Sequence, residues 1–361
     1  MKKKVKVIVL IVAICILLFI TGVIIYGNAQ MRKLTNLTFS EALEYTTKNN
    51  SNAVITVGII KNGTASYKVY GENRKELPLE LHTYEIGSLT KTFTAALINK
   101  AIGEGKISIK DTIDCYLTLP TGEYYPTIEE LLTHTSGYKG YYFESPMVGN
   151  FFKGRNDFYG ITKDEVLNKI VSLEMKKDCY DFNYSNFGYA VLGLVLENVY
   201  DTDYTTLLNE FVQNELGLSA TQISGQSGDL GNYWDWKPGD AYIAAGAITS
   251  NIEDMLQYAQ IQLEDNSYFS GCHDTLKSIN ASTDRYKSMG IFMDEIGMAW
   301  IIDNENGIVW HNGGTGDYNC YLGFKPESGE AVIILANLSP NYRIPATVLG
   351  TKLLSEMQDY D

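Results

Sequence analysis

Glu85-Ile-Gly-Ser88-Leu-Thr-Lys91 sets a serine three residues before a lysine. On a helix such residues share a face, so the Lys91 amine can reach the Ser88 hydroxyl. A serine hydroxyl is a poor nucleophile until a base takes its proton. A lysine serves as that base when burial or nearby positive charge lowers its pKa. A helix N-terminus would add backbone N–H groups where an oxyanion develops. The same pattern also describes a capping serine with a solvated lysine one turn on. A second copy, Ser136-Gly-Tyr-Lys139, shows how cheap it is. There Gly137 follows the serine and no apolar helical pattern follows Lys139, so no helix aligns the pair.

Two further segments carry chemistry. In Phe182-Asn-Tyr184-Ser-Asn186, Tyr184 and Asn186 flank one residue, so both side chains can enter one cleft. A phenol near ammonium groups can have its pKa lowered and relay a proton, and an amide can hold a substrate carbonyl. The plainer alternative is a capping turn with Ser185 or Asn186 as N-cap. Trp310-His311-Asn-Gly313-Gly314-Thr-Gly316 runs from an expected strand into glycines, which let a substrate approach the backbone. His311 can offer an anionic substrate group a partial positive charge or a hydrogen bond. A glycine-rich turn between strands accounts for the glycines but not for the histidine. Aromatic clusters at Tyr138–Phe143 and Tyr233–Trp236 are either a substrate-reading rim or ordinary packing.

The elements that must position these groups follow from periodicity and turn chemistry. Thr38-Phe-Ser-Glu41 opens a helix to about Asn49 as a capping box. Ala53–Ile60 is β-branched and apolar, and Lys61-Asn-Gly-Thr64 turns it into a second strand, Ala65–Tyr70. Phe93, Leu97 and Ala101 mark a helix over Thr90–Ile102 that ends at Gly103. Helices are expected at Thr127–Leu132, Thr162–Leu173, Phe187–Val199, Tyr204–Leu216 and Ile252–Leu263. A strand meander follows through Gly297–Ile302, Ile308–His311, Tyr318–Lys325 and Ala331–Ala336. Strands near both ends with helices between them predict an α+β fold. One antiparallel sheet is flanked by helices and carries an inserted all-helical lobe at about 111–216. The cleft is expected between sheet and lobe.

Composition narrows the function. Among 361 residues, 29 basic side chains face 43 acidic ones, for a net −14. Residues 1–33 hold six of the basic groups and no acid, so residues 34–361 carry 23 basic against 43 acidic side chains, a net −20. A body this acidic repels polyanions, which argues against nucleic-acid binding. Val7–Tyr26 is an uncharged run of 20 residues, long enough for one N-terminal transmembrane helix through a bilayer. Four lysines precede the run, which places the N-terminus in the cytoplasm and the 34–361 domain outside the cell membrane. A cleaved signal peptide is the alternative, given Gly27-Asn-Ala29, but the apolar run exceeds the usual length. Cys115, Cys179, Cys272 and Cys320 permit two disulfides or none. Their spacing fits no metal site, there is no His-Glu-x-x-His, and the chain has four histidines; no metal or other cofactor is expected. Gly-x-Ser-x-Gly is also absent.

Taken together, the Ser88, Tyr184 and His311 segments, in that order and at separations of 96 and 127 residues, resemble one family. It is the serine β-lactamase and penicillin-binding protein superfamily, in its class C β-lactamase and D-alanyl-D-alanine carboxypeptidase branch. Leu131-Leu-Thr-His-Thr-Ser-Gly137 and Ala244-Ala-Gly-Ala-Ile-Thr-Ser250 look like further family segments, so the resemblance extends from about Val54 to Asn337. It implies Ser88 as acylated nucleophile and Lys91 as its general base. It further implies that Tyr184 passes a proton to the leaving group while Asn186 positions the acyl amide. The N–H groups of Ser88 and Gly314 would form an oxyanion hole, with His311 and Gly313 binding substrate. His311-Asn-Gly313 replaces the family's Lys-Thr-Gly, exchanging a permanent cation for a group of pKa about 6.5. The implied activity is a membrane-anchored, extracytoplasmic serine hydrolase acting on D-alanyl peptides or related amides or esters of the cell wall. A β-lactamase, an esterase, a D-aminopeptidase or a non-catalytic penicillin-binding or sensing domain are the alternatives.

Overall fold

The β-branched run of β1 (Ile55–Lys61) turns through Asn62 and Gly63 into β2 (Thr64–Tyr70), which pairs with the short β3 (Glu76–Leu77). The other edge of β1 is taken by β12 (Glu330–Ala336), from the far end of the chain, with Gly58 opposite Ile333. Beyond it lie β11 (Asn319–Lys325), β10 (Ile308–Gly314), β9 (Ile301–Asp303), β8 (Glu295–Ile296) and β7 (Lys277–Ser278). They complete a nine-stranded antiparallel sheet in the order β3-β2-β1-β12-β11-β10-β9-β8-β7. A smaller sheet joins β4 (Tyr84–Glu85), β6 (Ile248–Ser250) and β5 (Gln222–Ile223). The computed structural model describes residues 35–225, 228–264 and 268–357. The expected membrane span at 7–26 and Cys15 lie outside these residues. Among the described residues no helix is long and apolar enough to cross a membrane.

Side-chain alternation along the strands sends two sets of residues to opposite faces. Ile55, Val57, Trp310, Tyr321, Val332 and Ile334 cluster with Ala42 and Leu43 of α1 (Phe39–Thr47) on one face. The last helix of the described chain, Ala346–Glu356, adds Val348, Leu349 and Leu354 to the same cluster. The opposite set, Val309, Leu322, Phe324, Ile333 and Leu335, belongs to the larger core. That core also takes in α2 (Thr90–Gly103), α3 (Ile128–Leu132), α4 (Ser145–Lys153), α5 (Lys163–Ser172), α6 (Asn186–Tyr200), α7 (Tyr204–Glu210) and α8 (Ile252–Leu263). His311 and Gly313 share the parity of Val309, so the strand itself aims them at the side where the helices gather.

Most local expectations match, with differences that have physical reasons. Capping boxes start α1, α3 and α5 at Thr38, Thr127 and Thr162. The helix expected through Leu216 loosens after Glu210 into a π turn at Phe211–Glu215. Helix α4 was not foreseen, because most of its apolar side chains face outward; Pro146 opens it and Gly154, at φ 59°, closes it. The terminal helix, here α9 (Ala346–Glu356), was also missed. It has no capping side chain, and Thr347, Val348, Gly350 and Thr351 are weak helix formers, so packing on the sheet holds it.

Helix α2 is buried on nearly every side, with Phe93 fully buried and its ring stacked on Tyr258 at 4.0 Å. Thr92 Oγ1 and the Tyr258 hydroxyl, 2.8 Å apart, lock the same contact. Truncating Phe93→Ala should cost about 3–5 kcal/mol through lost burial and the cavity left behind. The expected readout is a lower urea midpoint at unchanged m-value.

Candidate active site

Strand β4 leads through Ile86 into a 3₁₀ turn, Gly87–Leu89, and then directly into α2. Ser88 sits in that turn, partly exposed, while Lys91 lies one turn on and is fully buried. Their Nζ–Oγ separation is 3.0 Å, and the Lys91 amine donates to the Ala245 carbonyl at 2.6 Å. Ser88 therefore caps nothing and Lys91 is not solvated, which removes the bland reading of the pair. Burial holds the Lys91 pKa well below the ordinary lysine value. It forms no ion pair among the described residues. Desolvation favours the neutral form of the amine, whose lone pair can take the Ser88 proton, so the geometry and the direction of the pKa shift both suit a general base.

Tyr184 reaches the same point from the segment before α6. Its phenol is within hydrogen-bonding reach of Ser88, and its ring centroid is 4.9 Å from Lys91 Nζ. Burial pushes the phenol pKa up, not down as expected from neighbouring ammonium groups, because desolvation outweighs the lowering effect of its hydrogen bond to Ser88. Below the ring lies a residue whose role the sequence did not reveal. His134 is buried at φ 58°, with its ring centroid 4.4 Å from that of Tyr184. Its Nδ1 accepts the Ser185 N–H at 3.0 Å, so the proton is on Nε2, which has no partner. Burial and the nearby Lys91 keep His134 neutral, and the histidine fixes the backbone and ring of the Tyr184 segment together. The clue was His134 inside Leu131–Gly137, a segment noted only for its family likeness.

Strand β10 closes the other side. β9 pairs with it only as far as Trp310, which leaves the 311–314 edge without a strand on that side. A Cβ at Gly313 would lie 1.9 Å from the Ile86 carbonyl oxygen, and one at Gly87 (φ 48°) would lie 2.6 Å from Gly314 N. The two backbones touch because neither position has a side chain, a close approach only glycine permits. It sets Gly314 against the turn that holds Ser88, the juxtaposition an oxyanion hole made by their N–H groups requires. His311 is buried, and its Nδ1 donates to the Asn312 carbonyl at 2.6 Å. Burial and Lys91 push its pKa down to about 3. The expected partial positive charge is therefore absent at neutral pH, and Nε2 remains as a hydrogen-bond acceptor.

A second residue missed by sequence reasoning is Glu85, three positions before Ser88. Its buried carboxylate accepts the Thr315 hydroxyl at 2.5 Å and the Trp234 N–H at 2.6 Å. It thereby fixes the residue after Gly314 and the loop that overhangs it. Burial raises the carboxyl pKa to about 7, against the lowering effect of its two hydrogen bonds. Both donors need acceptor oxygens, so the ionised form holds the two contacts best.

Asn186 opens α6 beside Tyr184, partly exposed, and its amide makes no hydrogen bond to Ser88, Lys91 or Tyr184. Ser185 is the N-cap, accepting the Gly188 N–H at 2.9 Å, so capping and a cleft-facing tyrosine coexist in one segment. Ser136 lies in a turn, its Oγ accepting the Tyr138 N–H, and is no nucleophile candidate. The rim clusters divide: Tyr138 and Trp236 are packed inside, whereas Tyr141 and Phe143 are exposed. Cys115, Cys179, Cys272 and Cys320 are free thiols, the first two exposed and the others buried. Among the described residues no group of three His, Cys, Asp or Glu side chains is arranged to hold a metal ion.

The Beta-lactamase family model matches residues 47–349 of the chain. Protein flp of Staphylococcus aureus (strain MW2) is 23% identical over 330 residues, covering 82% of this chain and 62% of its own length. This chain thus spans under two thirds of that curated relative. The octameric penicillin-binding protein homologue from Pyrococcus abyssi superposes with a TM-score of 0.68 at 22% identity, covering 89% of this chain and 75% of that one. The β-lactamase/D-alanine carboxypeptidase from Yersinia pestis, complexed with citrate, gives 0.66 at 18% identity, over 91% and 99%. At these identities the likeness to the solved structures is one of fold.

Two variants test the electrostatics. Lys91→Met should abolish acylation. Because burial lowers the amine's pKa in the folded state while the unfolded chain keeps its proton up to about 10.5, wild-type stability rises with pH between the lowered pKa and that value. The thermal stability of the variant relative to wild type should therefore be greatest near neutrality and fall as the pH rises towards 10.5. Glu85→Gln should remove an inflection near pH 7 in kcat/KM, leaving the variant at pH 8 with the lower activity wild type shows at about pH 6. An inflection retained at reduced amplitude would limit Glu85 to a structural role.

Proposed function

Because this chain belongs to the Beta-lactamase family, we propose that it is a serine hydrolase working through an acyl-enzyme on Ser88. The observation that carries this reading is the fully buried Lys91 amine, without an ion-pair partner among the described residues, at 3.0 Å from the Ser88 hydroxyl. In the proposed reaction, Lys91 takes the Ser88 proton as Oγ bonds to the substrate acyl carbon. Negative charge collects on the carbonyl oxygen, opposite the N–H groups of Ser88 and Gly314. The bond to the leaving group then breaks, and Tyr184 gives up its proton to that group and regains one from Lys91. Water attacks the ester in the reverse sense, returning the Ser88 proton. Asn186 and Gly313 border the acyl group.

The proposed substrates are D-alanyl peptides or related amides and esters of the cell wall. The Yersinia pestis protein of this fold is named for D-alanine carboxypeptidase activity, which supports that class. His311 refines it. Its Nδ1–H is committed to the backbone and its ring is neutral, so it matches a hydrogen-bond donor on the substrate better than a carboxylate. That favours a capped amide or ester over a free carboxyl terminus, and tells against efficient turnover of β-lactams, which carry a carboxylate. Tethering of the domain outside the cell membrane by residues 7–26 belongs to the same proposal and rests on the apolar run and the lysines before it.

Mass spectrometry after exposure to a fluorophosphonate or a fluorescent penicillin tests the nucleophile. Wild type should gain one adduct and Ser88→Ala none, with the circular dichroism of the two alike. Equal labelling of both would remove Ser88 from the chemistry.

A further inference from the structure

Behind the open edge of β10 lies a buried amide with both of its ends committed. Asn319 stands on β11 opposite Gly314, in the last pair of the β10–β11 ladder, and is 5% exposed. Its Nδ2 donates to the Gly313 carbonyl at 2.9 Å, and its Oδ1 accepts the Ala346 N–H at 2.5 Å. These partners fix which way round the amide lies, since a backbone N–H only donates and a carbonyl only accepts. Ala346 is the first residue of α9, which has no side-chain cap from its own segment. Asn319 therefore satisfies one of that helix's orphan N–H groups from across the sheet.

The Gly313 carbonyl and the Gly314 N–H are the two ends of one peptide unit. A trans peptide is planar, so its C=O and N–H point in opposite directions, and no peptide bond among the described residues is cis. Holding the oxygen towards β11 turns the Gly314 N–H towards the other edge of β10, which β9 does not pair beyond Trp310. Gly314 is exposed at that edge, whereas Gly313 and Asn319 are buried behind it. A hydrogen bond at the carbonyl end also polarises the unit and strengthens its N–H as a donor. The ladder gives no further support here, because the chain turns at once, with the Thr315 N–H donating to the Tyr318 carbonyl at 3.0 Å. Two further contacts reach this stretch of strand from α9 and the segment before it. Asn312 Nδ2 donates to Thr347 Oγ1 at 2.9 Å, and a Cβ at Gly314 would lie 2.4 Å from Pro340 Cγ.

We propose that Asn319 is a positioning residue of the reaction, which aims and strengthens the Gly314 N–H by holding the Gly313 carbonyl. The inference rests on the serine-hydrolase reading and adds to it a residue that never touches substrate. A donor aimed in advance stabilises the growing negative charge on the substrate oxygen without reorganising. Its contribution therefore belongs to the transition state and enters kcat, not KM.

The test compares p-nitrophenyl acetate with its thionoester, in which sulfur replaces the carbonyl oxygen, on wild type and Asn319→Ala. Sulfur is a weak acceptor, so a hole aimed at oxygen favours the ester. The variant should lose at least about tenfold in kcat on the ester at nearly unchanged KM. Its rate on the thionoester should change much less, so the preference for the ester collapses. A residue with a structural role alone would lower both rates in parallel, and an unchanged preference overturns the proposal. Asn319→Asp keeps an acceptor for the Ala346 N–H and, as a carboxylate, loses the donor to Gly313. It should show the same collapse even where Asn319→Ala fails to fold, and a wild-type preference in this variant overturns the proposal as well. These outcomes leave wild-type ester turnover and the serine-hydrolase reading intact. Failure of wild type to hydrolyse the ester and to take up a fluorophosphonate overturns both.

Discussion

An amine buried without a counter-ion is the constraint around which the rest of the structure is arranged. Lys91 lies where water cannot reach it, hydrogen-bonded to a backbone carbonyl and to Ser88. Desolvation makes its charged form expensive, and no carboxylate pairs with it among the described residues to offset that cost. Keeping the amine dry requires α2 to be enclosed on nearly all sides, which the 243–248 segment, α6 and α8 together achieve. The sequence consequence is a helix buried around most of its circumference, whose buried threonines Thr90, Thr92 and Thr94 each hydrogen-bond to the backbone.

The same dryness sets the character of the neighbouring groups. Tyr184 keeps its proton, and His134 and His311 stay neutral, because each would have to ionise in an apolar surround and beside one another. The chain is strongly acidic, yet its core site is assembled from uncharged groups that share protons through short contacts. Glu85 is the exception. Its carboxylate lies behind the strand turn, where two donors offset part of its desolvation. Ionising it destabilises the fold: the penalty is absent below about pH 4.5, grows as the pH rises and is complete above about 7. The placement of Thr315, next to Gly314, and of the overhanging Trp234 loop depends on that one group.

Much of this was legible in the chain. Capping boxes at Thr38, Thr127 and Thr162 marked helices, because a capping side chain acts within one turn. Strand alternation marked the last three strands of the meander, because the pleat has a fixed period, whereas the strand expected at Gly297–Ile302 is broken at residues 297–300, between β8 and β9. Ser88 and Lys91 were legible as a pair, since three residues span one helical face whatever the tertiary structure. Helices α4 and α9 were less so. The first turns its apolar side chains outward, and the second is made of poor helix formers held by the sheet.

The sequence by itself thus determined which groups exist and which neighbours along the chain can share a face: the serine and its lysine, the tyrosine beside a cap, the histidine before its glycines. Only the tertiary structure decided their charge. A histidine reads as a titrating group near neutrality until the strand that carries it is packed against a buried amine, and then it is an uncharged acceptor. His134 and Glu85 joined the site for the same reason, across gaps of 50 and 230 residues to Tyr184 and Thr315. Desolvation and through-space contact are properties of the packed interior, and local spacing does not encode them.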